Sequence, residues 1–177
     1  MKKLILQYGV LAGLVVAVMM VVTFSGVIDH GFSEYLGYGT MILAFATIFI
    51  AVKLHRDKNL GGTISFIGAF KIGLGITLVA SVIYIISWMI ISNTIAKDFM
   101  LEYYQHSVEQ LKSGDLSEAE IKEKLAELEK FRELYKNPVI KIGITFMEIF
   151  PVGFVISVVS ALILKQNRTS GVGSGLD

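Results

Sequence analysis

Two ionisable residues stand inside long apolar stretches: Lys71 in "SFIGAFKIGLGITL" and Glu148 in "TFMEIFPVG". A charge at membrane depth costs at least ~2.5–3.5 kcal/mol, so such a residue pairs, titrates or lines a pathway. The chemistries on offer are a buried lysine–glutamate ion pair and a proton- or ion-coupled carboxyl. Helical rise argues against the pair. The run from Ile72 to Ile91 supplies ~30 Å of helix, enough to cross the hydrocarbon core by itself. That puts Lys71 at one membrane boundary. Glu148 precedes Lys165 by ~17 residues, or ~25 Å of helix, and so belongs near the other boundary.

Lys71 therefore reads as an interfacial anchor whose stem lies along lipid and whose ammonium reaches the headgroups. Phe66 and Phe70, four residues apart, are placed to dip into the lipid beside it. Glu148 keeps three readings open: a glutamate satisfied by hydrogen bonds beside a helix kink, a coupled titrating group, or a plain interfacial residue. Pro151, three residues on, removes a backbone donor and frees carbonyls that need partners. Lys141, seven residues earlier on the same face, is placed to reach towards the carboxyl. Ser81, Tyr84, Ser87 and Trp88 are candidate neighbours at similar depth.

Other chemistry is absent from the pattern. The chain has no cysteine, which excludes disulfides, thiolate metal sites and cysteine nucleophiles. His30, His55 and His106 fall in three separate segments without metal-ligand spacing. There is no G-x-S-x-G elbow and no phosphate-binding glycine loop. A net charge of +1 gives no field for nucleic acid. The expectation is a protein that is not an enzyme and holds no cofactor or metal.

The elements that must position these residues are membrane helices. Of the 177 residues, 54% are hydrophobic and only 18% charged, with a mean hydropathy of +0.66. Four stretches are long enough to span: about 4–28, 35–52, 64–92 and 139–164. The first follows Lys2 and Lys3 like a signal peptide, but its apolar run is too long for one and lacks a cleavage site, so it reads as an anchor. Basic residues gather at the N-terminus, at Lys53, Arg56 and Lys58, and after the fourth span, while the link at 29–34 is acidic. By the positive-inside asymmetry both termini are cytoplasmic.

The polar segment at about 95–136 then lies outside. Apolar residues at Phe99, Met100, Tyr103, Tyr104, Val108 and Leu111 have helical spacing, and Gly114 is a stop. "LSEAEI" carries a capping box, Ser117 with Glu120, flanked by Leu116 and Ile121 as a staple. A second stripe follows at Ile121, Leu125, Leu128, Phe131 and Tyr135, with Glu118/Lys122 and Glu120/Lys124 as i,i+4 pairs. Asn137–Pro138 ends it. The segment is a helical hairpin, and the third span is expected to run straight into its first arm. Residues 1–166 form one membrane domain, and 167–177, rich in Gly and Ser, read as a flexible cytoplasmic tail.

Small residues recur every four positions: Gly9, Gly13 and Ala17; Ala69, Gly73, Thr77 and Ser81; Gly153, Ser157 and Ala161. Such faces let helices approach closely in lipid. They serve a compact four-helix bundle or a contact between copies. The fold class expected is an all-α integral membrane four-helix bundle with a periplasmic helical hairpin between spans three and four.

Taken together, "SFIGAFKIG", "SVIYIISWMI", "DFMLEYYQHSVE", "YKNP" and "FMEIFPVGFVISVVSALIL" resemble the family called domain of unknown function 4199. The resemblance covers nearly the whole chain and implies a small four-span protein of the bacterial inner membrane. It implies no activity. Two functional expectations stand: a scaffold, assembly or sensing component whose hairpin meets a partner, and a small oligomeric transporter or channel subunit coupled through Glu148. The expected partners are the lipid bilayer, further copies of the chain or another membrane protein.

Overall fold

The computed structural model describes residues 1–25, 30–114 and 116–166. It contains six helices in chain order: α1 (Lys2–Phe24), α2 (His30–Asn59), α3 (Phe66–Thr94), α4 (Phe99–Ser113), α5 (Glu118–Tyr135) and α6 (Pro138–Leu164). α1, α2 from Leu36, α3 and α6 are each long and apolar enough to cross a membrane. Their outward faces carry Leu14, Leu43, Val82, Ile86 and Val155, exposed as a lipid-facing surface requires. The tail at 167–177 lies outside the described residues, as does most of the link after α1.

The boundaries differ from expectation where capping chemistry decides them. The first helix is described to Phe24, and residues 26–28 of the expected span lie outside the described residues. The second continues past Val52 to Asn59, because "KLHRDKN" contains no helix breaker. Its end is set by Gly61 and Gly62, at φ 63° and 86°, with the Gly62 N–H donating to the Arg56 carbonyl at 3.0 Å. α3 starts where the Ser65 hydroxyl accepts from the Gly68 N–H at 3.1 Å. It breaks at Thr94 before α4 begins. Asn93 and Thr94 bend their side chains back to the Met89 and Ile90 carbonyls, at 2.6 and 2.8 Å, in competition with the backbone ladder.

In α5 the capping box is formed: Glu120 accepts from the Ser117 backbone N–H at 2.9 Å and from its hydroxyl at 2.6 Å. The Glu120 carboxylate thus serves the cap, and neither Glu118–Lys122 nor Glu120–Lys124 forms an ion pair. The pairs on this helix and its end are Arg132–Glu129 and Lys136–Glu133 instead. Pro138 does more than stop α5. It opens α6 at its first turn, with Asn137 Oδ1 accepting from the Val139 N–H at 2.9 Å.

α3 packs most extensively against α1 and α6, and α2 closes the bundle against those two. The small-residue faces are used inside the chain. A Cβ on Gly9 would lie 2.6 Å from Val79 Cβ, and one on Gly13 2.8 Å from Ile83 Cβ. Ala17 follows on the same helix, half-buried. Across the α3–α6 contact, a Cβ on Gly73 would lie 2.8 Å from Ser157 Cβ, while one on Gly153 would run into Thr77. Ala69 and Ala161 are buried in the same core. Thr77 Oγ1 sits 3.2 Å from Ser157 Oγ, and each hydroxyl also reaches its own helix, at the Gly73 and Gly153 carbonyls. Phe45, Ile48, Ile72, Ile76 and Ile149 fill the centre.

At the end bearing the termini, Ile64 and Gln166 exchange backbone hydrogen bonds of 3.1 and 2.9 Å. Arg56 reaches the Leu164 carbonyl there at 3.4 Å. At the other end, α4 and α5 pack antiparallel: Phe99 meets Tyr135 and Tyr103 meets Phe131.

Candidate functional site

Glu148 lies ten residues into α6, ~15 Å from the α4–α5 end. Its carboxyl faces the hydroxyl of Tyr84 on α3. Tyr84 is buried, but Glu148 is exposed on the surface of the bundle. Lys71 is thirteen residues along α3 from Tyr84, ~20 Å of rise, so the two charges do not meet. α6 passes through Pro151 as one continuous helix with the proline exposed.

Lys141 does not join this site. Its ammonium turns towards α3 and α5, 3.4 Å from Ser92 Oγ and 5.2 Å from the centre of the Tyr135 ring. The physical reason is proximity. Lys141 is in the first turn of α6, and an aromatic face with a hydroxyl lies nearer than a carboxyl two turns down. Trp88 is likewise drawn away, donating its indole N–H to the Tyr135 hydroxyl at 2.7 Å. Ser81 is buried, and its hydroxyl has no partner among the described residues. Ser87 is half-buried on α3.

At the opposite end of α3, Lys71 is exposed. Phe66 and Phe70 stack on each other, with centroids 5.9 Å apart and planes 4° apart. Phe70 also meets Phe154 of α6 edge-on at 5.7 Å. The half-buried phenylalanines therefore brace the entry of α3 against α6.

The aromatic cluster that docks α4 and α5 on the bundle is the arrangement the sequence did not disclose. Trp88 packs on Phe24 of α1 and edge-on against Phe99 of α4, with centroids 5.2 and 5.0 Å apart. Phe131 and Tyr135 continue it along α5. Burial pushes the Tyr135 phenol up to about 12, opposed by the hydrogen bond from Trp88. The available signal was the i,i+4 aromatic spacing at 99/103 and 131/135. Nothing local pointed either pair at Trp88.

Two cavities flank this cluster. One, of about 280 Å³, lies at the junction of α4 and α5 with the ends of α3 and α6. The other, of about 430 Å³, lies between α4 and α5.

Four span-length apolar helices packed through small residues, with two shorter helices docked at one end, define a small multi-pass helical membrane protein. Within that class the chain belongs to the family described as protein of unknown function (DUF4199), which matches residues 7–166. No curated protein and no solved structure matches the chain.

Proposed function

We propose that this protein is a non-enzymatic component of a bacterial inner membrane, a scaffold, assembly or sensing element whose α4–α5 pair meets a partner. Both termini lie in the cytoplasm in this reading, and the pair is periplasmic. The observation that carries it is the division of surface and space. The centre of the bundle is filled by large apolar side chains, whereas the two cavities described above lie on the α4–α5 pair. The pair also offers charged, solvated faces on which a partner can be read.

The test removes residues 102–130, most of both helices, and keeps Phe99, Phe131 and Tyr135. The expected result is a chain that inserts and folds but no longer retains the protein that co-purifies with the full chain. Retention of the same protein by the shortened chain would overturn the reading.

One observation favours a second reading. An exposed glutamate on a membrane-spanning face is expensive in lipid. Contact between copies along α6 would cover Glu148 and build a small transporter or channel. That reading requires proteoliposome flux that falls when Glu148 is replaced by Gln. Flux unchanged in Glu148→Gln, or absent from the native chain, removes it.

A further inference from the structure

The junction cavity has a charge that the bundle's packing does not require. Four of its lining side chains are cationic, Lys97, Arg132, Lys136 and Lys141, and no carboxylate lines it. The nearby acids leave part of that charge unmatched. Glu129 accepts from an Arg132 terminal nitrogen at 2.7 Å, and Glu133 accepts from Lys136 at 2.6 Å. Among the described residues neither Lys97 nor Lys141 is ion-paired. The Arg132 Nε–H is buried without a hydrogen-bond partner. Its guanidinium is held in place over the Tyr104 ring at 4.9 Å. Two ammonium groups without an ion pair, beside a guanidinium and a third ammonium, are a binding set for a phosphate or another oxyanion.

The surroundings say what carries that anion. The cavity lies where α3 ends and α6 begins, at the limit of two span-length apolar helices. Leu101, in its lining, is exposed, as is Ile95 next to the lining Ala96. A cationic pocket with an apolar rim at this level matches a headgroup with acyl chains attached.

We propose that the junction cavity binds the phosphate headgroup of an anionic phospholipid from the leaflet on the α4–α5 side. The lipid then sits between the bundle and the α4–α5 pair, and Lys141 and Arg132 bridge the two through it. This goes beyond the partner role and does not depend on it.

Trp88 is the chain's single tryptophan and donates to Tyr135, a lining residue, so its fluorescence reports on the site. The experiment places the full chain in nanodiscs of neutral lipid and adds brominated phosphatidylglycerol or brominated phosphatidylcholine. Quenching by the anionic lipid should occur at a concentration at least ~5-fold lower, about the discrimination one interfacial cation provides. The triple variant Lys97→Gln, Lys136→Gln, Lys141→Gln should lose the discrimination. Lys2→Gln with Lys3→Gln, at the other end of the bundle, should keep it, and Lys141→Arg should keep most of it. An unchanged melting temperature of each variant shows that the pocket, and not folding, was altered. A second arm adds inorganic phosphate. Failure to displace the lipid supports a headgroup site, whereas equal protection by free phosphate assigns the pocket to a soluble anion and overturns the lipid assignment. Equal quenching by both lipids in the native chain, or discrimination that survives in the triple variant, also overturns it.

Discussion

The bundle and the α4–α5 pair solve the problem of staying folded in opposite ways. In the bundle, backbones approach until glycine is the only side chain that fits, and hydroxyls bond across or back to their own helix. In the pair, no residue of α4 is buried and Tyr135 is the one buried residue of α5. Its local order comes from a capping box, surface ion pairs and one aromatic dock. In lipid there is no hydrophobic drive between helices, so close packing must supply the association. At the membrane surface water returns, and a short amphipathic pair depends on docking because isolated helices of this length are marginal. The two parts of the chain thus hold their structure by different means, close packing in the bundle and local caps with one dock in the pair.

That contrast can be broken from the bundle side first. Gly153→Leu drives a side chain into Thr77 and to within reach of Phe45 Cζ, which already lies 2.8 Å from a Cβ there. The expected cost is about 3 kcal/mol or more, seen as a collapse of the melting temperature in detergent. A tolerated leucine would show that α3 and α6 are not in contact as described.

The next effect is confined to the dock. Tyr135→Phe leaves the Trp88 N–H buried without its acceptor, at a cost of ~1–3 kcal/mol. Hydrogen exchange should accelerate across α4 and α5 and stay slow in α1, α3 and α6. Uniform acceleration would mean that the pair and the bundle unfold as one unit.

The same dock should fail in alkali. The Tyr135 phenol is raised from 10.0 to about 12 by burial, so the folded state favours its neutral form. The stabilisation is complete below about pH 10 and is lost as the pH rises towards about 12. Protease sensitivity of α4 and α5 should rise over that window, and Tyr135→Phe should flatten the response.

Smaller still, Ser117→Ala removes the α5 N-cap at a cost of about 1 kcal/mol, read as fraying of α5 alone. On acidification, Glu120 and Glu133 act with the opposite sign to Tyr135. Ser117 and Lys136 hold their carboxyls below the ordinary range, so their contribution is present at neutral pH and lost as the pH falls through the folded values. Helicity lost in acid should come from α5, while the bundle signal stays constant.

Much of this arrangement was legible in the chain. Apolar length marked the spans, and the i,i+4 small residues marked helix faces that pack within the bundle. Ser117 and Glu120 marked the start of α5 because a cap is a local device. The end of α2 was less legible, since the residues after Val52 are polar yet unbroken helix until Gly61. Partners across space were the least legible. Lys141 had a carboxyl on its own helix face and an aromatic ring on another helix, and no spacing rule distinguishes them. Tyr84 was identified beside Glu148 by depth alone, while Trp88, a turn further along, belongs to a different cluster. The exposure of Glu148 depends on the rotation of α6, which tertiary packing sets.

The most direct test of the division between anchor and contact surface is photo-crosslinking in native membranes. A photoreactive residue is placed at Gln110 or Glu127 on the α4–α5 pair, and in parallel at Met147 or Val155 on the exposed face of α6. This division predicts one discrete protein adduct from the pair, the same at both positions, and lipid adducts alone from α6. Adducts between copies from α6, with none from the pair, would contradict it and make the bundle surface the working part of the molecule.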